Sequence, residues 1–198
     1  MSPTEKYPDH WYTGLHAFVM VDHVDPNLHV ANVVADLNAI DMGDKGKVIF
    51  ASTFVGDYVA FAHVRVGEKH GLAGLQDFIE GELWKAGVRC KWAVEVGVYM
   101  AGPMMQGTKR MTPEIIALVG IRVKHGHAKR VMRRLGELKG FKGASFVLGD
   151  FDIILQLGGD TLDEVVKPTL GKLQRIPGIV STSTAVADGS RKIKKHAS

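Results

Sequence analysis

The feature that most constrains this chain is that it says one phrase twice. VGDYVAFAHV runs from Val55 to Val64, and LGDFDIILQL runs from Leu148 to Leu157. In both, Gly-Asp-aromatic opens an apolar run, and Ala51-Ser52 and Ala144-Ser145 stand at the same distance before their Gly-Asp. A repeat of this length sets the architecture before any single residue is weighed. It divides 198 residues into two units of about 90, each small enough to gain by packing on the other.

The elements around the two phrases follow one order. In the first half Leu15–Val24 is β-branched and aromatic and reads as a strand, and Asp25-Pro26-Asn27 opens a helix whose apolar residues run from Leu28 to Ile40. Val48–Val55 and Tyr58–Val66 are expected to form a hairpin turning at Gly56-Asp57. Leu72, Leu75, Phe78, Ile79 and Leu83 mark a second helix, and Val88–Met100 a last strand. The second half repeats this. It has a strand at Ile115–Val123 and a helix carrying Ala128, Val131, Met132, Leu135 and Leu138. A hairpin then turns at Gly149-Asp150, a helix runs from Leu162 to Leu173, and a strand covers Ile179–Ala187. Pro168 either kinks that last helix or ends an early turn.

Each half is therefore expected to be an α+β ferredoxin-like βαββαβ sandwich, two in tandem. The organisation is 13–101 for the first repeat, 102–113 for a linker, 114–188 for the second repeat and 189–198 for a basic tail. Ile115–Val119 and Ile153–Leu155 are apolar at successive positions, whose side chains point to opposite faces. Both faces want burial. Helices cover one, and a second antiparallel sheet packed face to face is the simplest cover for the other, as in a dimeric α/β barrel.

At this point the second half resembles the effector-binding domain of the Lrp/AsnC (feast/famine) regulators. The residues that carry the resemblance are LGDFDIIL (Leu148–Leu155) and RIPGIVSTSTAV (Arg175–Val186). The resemblance implies domains that pair sheet to sheet, assemble into oligomers, and bind small effectors, often amino acids, near the Gly-Asp hairpin. It implies ligand-binding roles for Gly149, Asp150, Asp152, Thr182 and Thr184, and, in the first repeat, for Gly56 and Asp57. A carboxylate can accept an ammonium group, and hairpin amides and hydroxyls can hold a carboxylate. The first repeat has Val59 in place of Asp152, and Lys91 and Ala93 in place of the threonines, so it reads as a degenerate copy. The family's helix-turn-helix domain is not seen; about a dozen residues precede the first strand.

Charge adds a second asymmetry. Residues 1–102 hold 8 Lys/Arg and 13 Asp/Glu, whereas residues 103–198 hold 17 and 8. The basic half suggests head-to-tail association and a weak nucleic-acid contact, though Lys129, Arg130, Arg133 and Arg134 lack the aromatic neighbours that single strands stack on. One cysteine, Cys90, rules out an intrachain disulfide. The polar start and the lack of a long apolar run point to a cytoplasmic protein without a membrane span. No catalytic motif, cofactor fingerprint or metal-ligand spacing stands out: Gly43–Val48 lacks the spacing of a phosphate loop, and nine histidines form no zinc pattern. His16, His23 and His63 could line a cavity between the sheets. The expected function is small-molecule sensing and oligomerisation, regulatory rather than enzymatic. The alternative is a barrel enzyme, monooxygenase-like or tetrapyrrole-decarboxylase-like, with its site between the sheets.

Overall fold

The computed structural model describes residues 11–12, 15–23, 29–55, 59–67, 69–83, 95–106 and 115–188. In the first half β1 (Trp11–Tyr12) and β2 (His16–His23) lead into α1 (Val30–Asn38). Then come β3 (Gly46–Thr53), β4 (Ala60–Val66), α2 (Gly71–Gln76), which widens into a π-helical turn at Asp77–Leu83, and β5 (Glu95–Gln106). The second half holds β6 (Ile115–Val123), α3 (Ala128–Leu135), β7 (Phe141–Val147), β8 (Ile153–Gly159), α4 (Leu162–Lys172) and β9 (Ile179–Asp188). All strand pairs are antiparallel. The molecule is α+β with few helices.

Within the halves the strand order is the same. It reads β3-β4-β2-β5 in the first and β7-β8-β6-β9 in the second. The halves are not separate sheets, because β5 and β7 pair edge to edge and make one hydrogen-bonded path. Among the described residues the other two edges meet at one bridge: Val55 N donates to Val186 O at 2.8 Å, and Val186 N to Val55 O at 3.0 Å. The strands thus close into a barrel with one long seam and one seam pinned at a point.

Side-chain alternation sorts the core into three. Ala17, Val19 and Val21 face α1 and its neighbours, and Ala117, Val119 and Ile121 face α3 and its neighbours. The opposite faces give the third core, where Phe18, Met20 and Phe61 meet Leu118, Ile154 and Ala185. This is why β2 and β6 are apolar at successive positions. Burying a Phe or Leu contributes about 1.5–3 kcal/mol, so the shared interior is a substantial tie between the halves.

Differences from expectation are local. β5 continues through Gln106, five residues into the segment read as linker, and those residues make the long seam. The register shifts between Ala101 and Met104, where Pro103 has no N–H to donate. Trp11, the last residue of the polar start, and Tyr12 pair with Met105 and Met104. α4 runs past Pro168 to Lys172. Its start is fixed by Thr161 Oγ1, which accepts from Glu164 N at 3.3 Å, while Glu164 Oε2 accepts from Asp160 N at 3.1 Å. The second helix of the first half is shorter than its apolar spacing suggests, with α-helical geometry only to Gln76. Gly56, Asp57, Tyr58, Cys90, Lys91, Ala93 and the basic tail lie outside the described residues. No helix among the described residues is long and apolar enough to cross a membrane.

Candidate functional site

The Gly149-Asp150 turn folds back over the end of β6. Gly149 has φ +140°, a backbone conformation that favours glycine, and Leu148, Gly149 and Asp150 are exposed. Arg122 Nε donates to Asp150 O at 2.7 Å. Asp152 N donates to Ile121 O at 3.0 Å, and its Oδ2 accepts from Val123 N at 2.7 Å. That amide sits where the β6–β9 register shifts between Arg122 and Val123. The Asp152 carboxylate is thus partly used to hold the backbone. The side chain between the two aspartates, Phe151, lies on Gly120, where a Cβ would come within 2.7 Å of its ring. Glycine at 120 is what lets that ring reach the shared core.

Thr182 and Thr184 are half-buried on β9, opposite Ile121 and Val119 respectively. Their neighbours Ala185 and Ala187 belong to the inner core, so the threonines take the other face. Thr182 and Ile153 flank Ile121 on either side. With strands about 4.8 Å apart, roughly 10 Å and the whole of β6 separate the threonine pair from the aspartate pair. The structure therefore groups Gly149, Asp150 and Asp152 with Arg122, which sequence reasoning did not single out. Arg122 and Asp150 are 28 residues apart, and only the strand register brings them together. Gly178 of the Ile-Pro-Gly turn has φ +104° and packs against the His127 ring.

A second polar group lies inside the barrel. His16 and Ser145 are fully buried, and His16 Nε2 and Ser145 Oγ are 3.0 Å apart. His63, 4% exposed, places its ring 5.2 Å from that of His16 and 4.8 Å from that of Phe18. Its pKa is pushed down to about 3, first by desolvation and then by His16 and Arg65, so it is neutral. His63 Nε2 and Gln156 Nε2 are buried without a hydrogen-bond partner. The interior also holds a void of about 10 Å³, room for one water, lined by Met20, Phe54 and Phe61 from the first half and by Leu118, Gly120, Ser183 and Ala185 from the second. No cluster of three or more His, Cys, Asp or Glu among the described residues could hold a metal. On the outside, Arg130, Arg133 and Arg134 line a depression of about 480 Å³ with Glu137 and Pro177; no aromatic lines it.

With this geometry in view, residues 116–196 match the family model of the Lrp/AsnC ligand binding domain. The match includes the Gly-Asp turn, Arg122 and β9. Among solved structures, hypothetical protein PHS023 from Pyrococcus horikoshii is 29% identical over 37% of this chain and 88% of its own, with a TM-score of 0.35. The siroheme decarboxylase NirDL is 8% identical, covering 89% of this chain and 71% of its own at a TM-score of 0.60. A monooxygenase-type protein from Fusobacterium nucleatum is 12% identical, covering 89% and 93% at a TM-score of 0.56. The last two likenesses are of fold, the dimeric α/β barrel, in which both halves take part. No curated protein matches.

Proposed function

We propose that this chain is a small-molecule sensing and assembly module of the Lrp/AsnC effector type, built as a tandem pair of ferredoxin-like units, in which the second unit binds a free amino acid. The observation that carries this is the family match at 116–196 together with the Arg122 guanidinium, held at the turn by its bond to the Asp150 carbonyl. The exposed carboxylates of Asp150 and Asp152 are suited to an ammonium group, and the guanidinium of Arg122 to a carboxylate. Gly149 supplies the backbone shape of the turn. Thr182 and Thr184, one strand beyond, serve a longer effector or a neighbouring subunit. The first unit, with Val59 for Asp152, keeps a structural role. The acidic first half and basic second half favour head-to-tail contact between chains. The test is a thermal-shift screen of the twenty amino acids on the wild type and on Arg122→Gln. A stabilising amino acid whose shift disappears in Arg122→Gln supports the reading. No stabiliser, or an equal shift in both proteins, counts against it.

A further inference from the structure

The outer face of α3 carries charge that neither the fold nor the turn site uses. Val131, Met132 and Leu135 are buried and fix the helix on the sheet, so Lys129, Arg130, Arg133 and Arg134 are left exposed on the other side. Cations suit the last turn of a helix, and Arg133 and Arg134 stand there. Arg130 stands in the first turn, where the helix dipole opposes a cation, and no acidic residue accompanies it. Residues three and four apart are neighbours on a helix surface, so Arg130 also lies beside Arg133 and Arg134, and like charges there repel. An anion relieves each of these costs.

The arginines do not form a flat patch. With Glu137 and Pro177 they line a depression of about 480 Å³, within the range of small-molecule sites, about 300–1,000 Å³. The two elements that line it are tied together. Lys124 N donates to Gly178 O at 2.7 Å, and Gly178 packs against the ring of His127, one turn before Arg130. Three guanidiniums share the depression with one carboxylate, and Arg134 pairs with it, Nη1 to Glu137 Oε2 at 3.1 Å. Arg130 and Arg133 form no ion pair among the described residues. Guanidiniums pair bidentately with phosphate oxygens. Three of them within about one helical turn, a rise of about 5.4 Å, match negative charges packed close together. No aromatic lines the depression, so a nucleobase gains no stacking there.

We propose that the α3 depression binds a compact polyphosphate, a chain of two or more linked phosphate groups, either free or as the tail of a nucleotide. Arg130 and Arg133 hold the phosphate oxygens, and Glu137 restrains Arg134. The site shares no residue with the Gly149-Asp150 turn and does not depend on the effector reading.

The test is calorimetric titration of the full chain with sodium tripolyphosphate, in about 0.15 M salt so that long-range attraction is screened. The wild type should bind it saturably and about tenfold or more tightly than orthophosphate, which engages fewer guanidiniums. Arg130→Gln with Arg133→Gln should weaken binding about tenfold or more. Lys47→Gln with Lys69→Gln removes two exposed charges from the first half and should change the affinity less than about twofold. Glu137→Gln, which frees Arg134, should tighten binding. ATP and tripolyphosphate should bind within about threefold of each other, because the base finds no platform. Absence of saturable tripolyphosphate binding by the wild type would overturn the proposal. So would equal losses in the arginine and lysine pairs, which would reduce the effect to net charge. A single-stranded oligonucleotide bound more tightly than tripolyphosphate would also overturn it, since α3 would then be a nucleic-acid surface.

Discussion

His16 Nε2 lies 3.0 Å from Ser145 Oγ, a hydrogen bond between fully buried side chains 129 residues apart that ties β2 of the first half to β7 of the second. Each residue sits on the inner face of its own unit, so the bond exists only when the units close on one another. Ser145→Ala removes one partner and leaves the other desolvated, at a cost of about 1–3 kcal/mol. Urea unfolding of the variant should show a lower midpoint with an unchanged slope. An unchanged midpoint would mean that the bond adds nothing to closure.

His63 makes stability depend on pH. Its folded pKa of about 3 lies below the ordinary value of 6.5. Between these values the unfolded chain binds a proton that the native chain does not, so stability falls as pH falls. The slope is about 1.4 kcal/mol per pH unit well below 6.5, or about 2 kcal/mol from pH 7 to pH 5. In His63→Leu that share of the slope should vanish. Unfolding midpoints at the two pH values, compared between the proteins, decide it.

Gly120 should not tolerate a side chain. A Cβ there would meet the Phe151 ring at 2.7 Å, and overpacking of this kind costs about 1–3 kcal/mol. Gly120→Ala should destabilise the protein, and Gly120→Ala with Phe151→Leu should recover part of the loss. Equal destabilisation in single and double variants would show that the ring is not the obstacle.

The two seams should differ in hydrogen exchange. The amides of Val55 and Val186 hold an isolated bridge. Ala144 and Ser145 belong to a seam of four pairs. Local opening is cheapest where few bonds must break together, so the Val55 and Val186 amides should exchange well ahead of the Ser145 amide. The reverse order would contradict the description of the barrel as pinned on one side.

Much of the fold is legible in the sequence. The repeated Gly-Asp phrase and the 2- and 3.6-residue periods mark the element order of both halves, and the strand Ile115–Val123 has the bounds read from sequence. Apolar residues at successive positions of β6 signalled a strand buried on both faces. What stayed hidden depends on register. Gly102-Pro103 has the composition of a linker, yet the chain continues as β5 because β7 supplies partners. Arg122 is an ordinary strand-end cation until the turn folds over it. The backbone role of Asp152 arises from a register shift that no local pattern encodes. The sequence offers His16, His23 and His63 as cavity candidates, whereas the pairing of His16 with Ser145 depends on the two halves being closed.

Calorimetric titration of the wild type, Asp150→Asn and Arg122→Gln with whichever amino acid stabilises the protein tests the effector reading most directly. Losing one charged hydrogen-bond partner costs about 1.5–3 kcal/mol, roughly ten- to hundredfold in affinity. The expected result is saturable wild-type binding that weakens at least tenfold in each variant while both remain folded. Affinity unchanged in both variants would place the effector elsewhere and contradict the account.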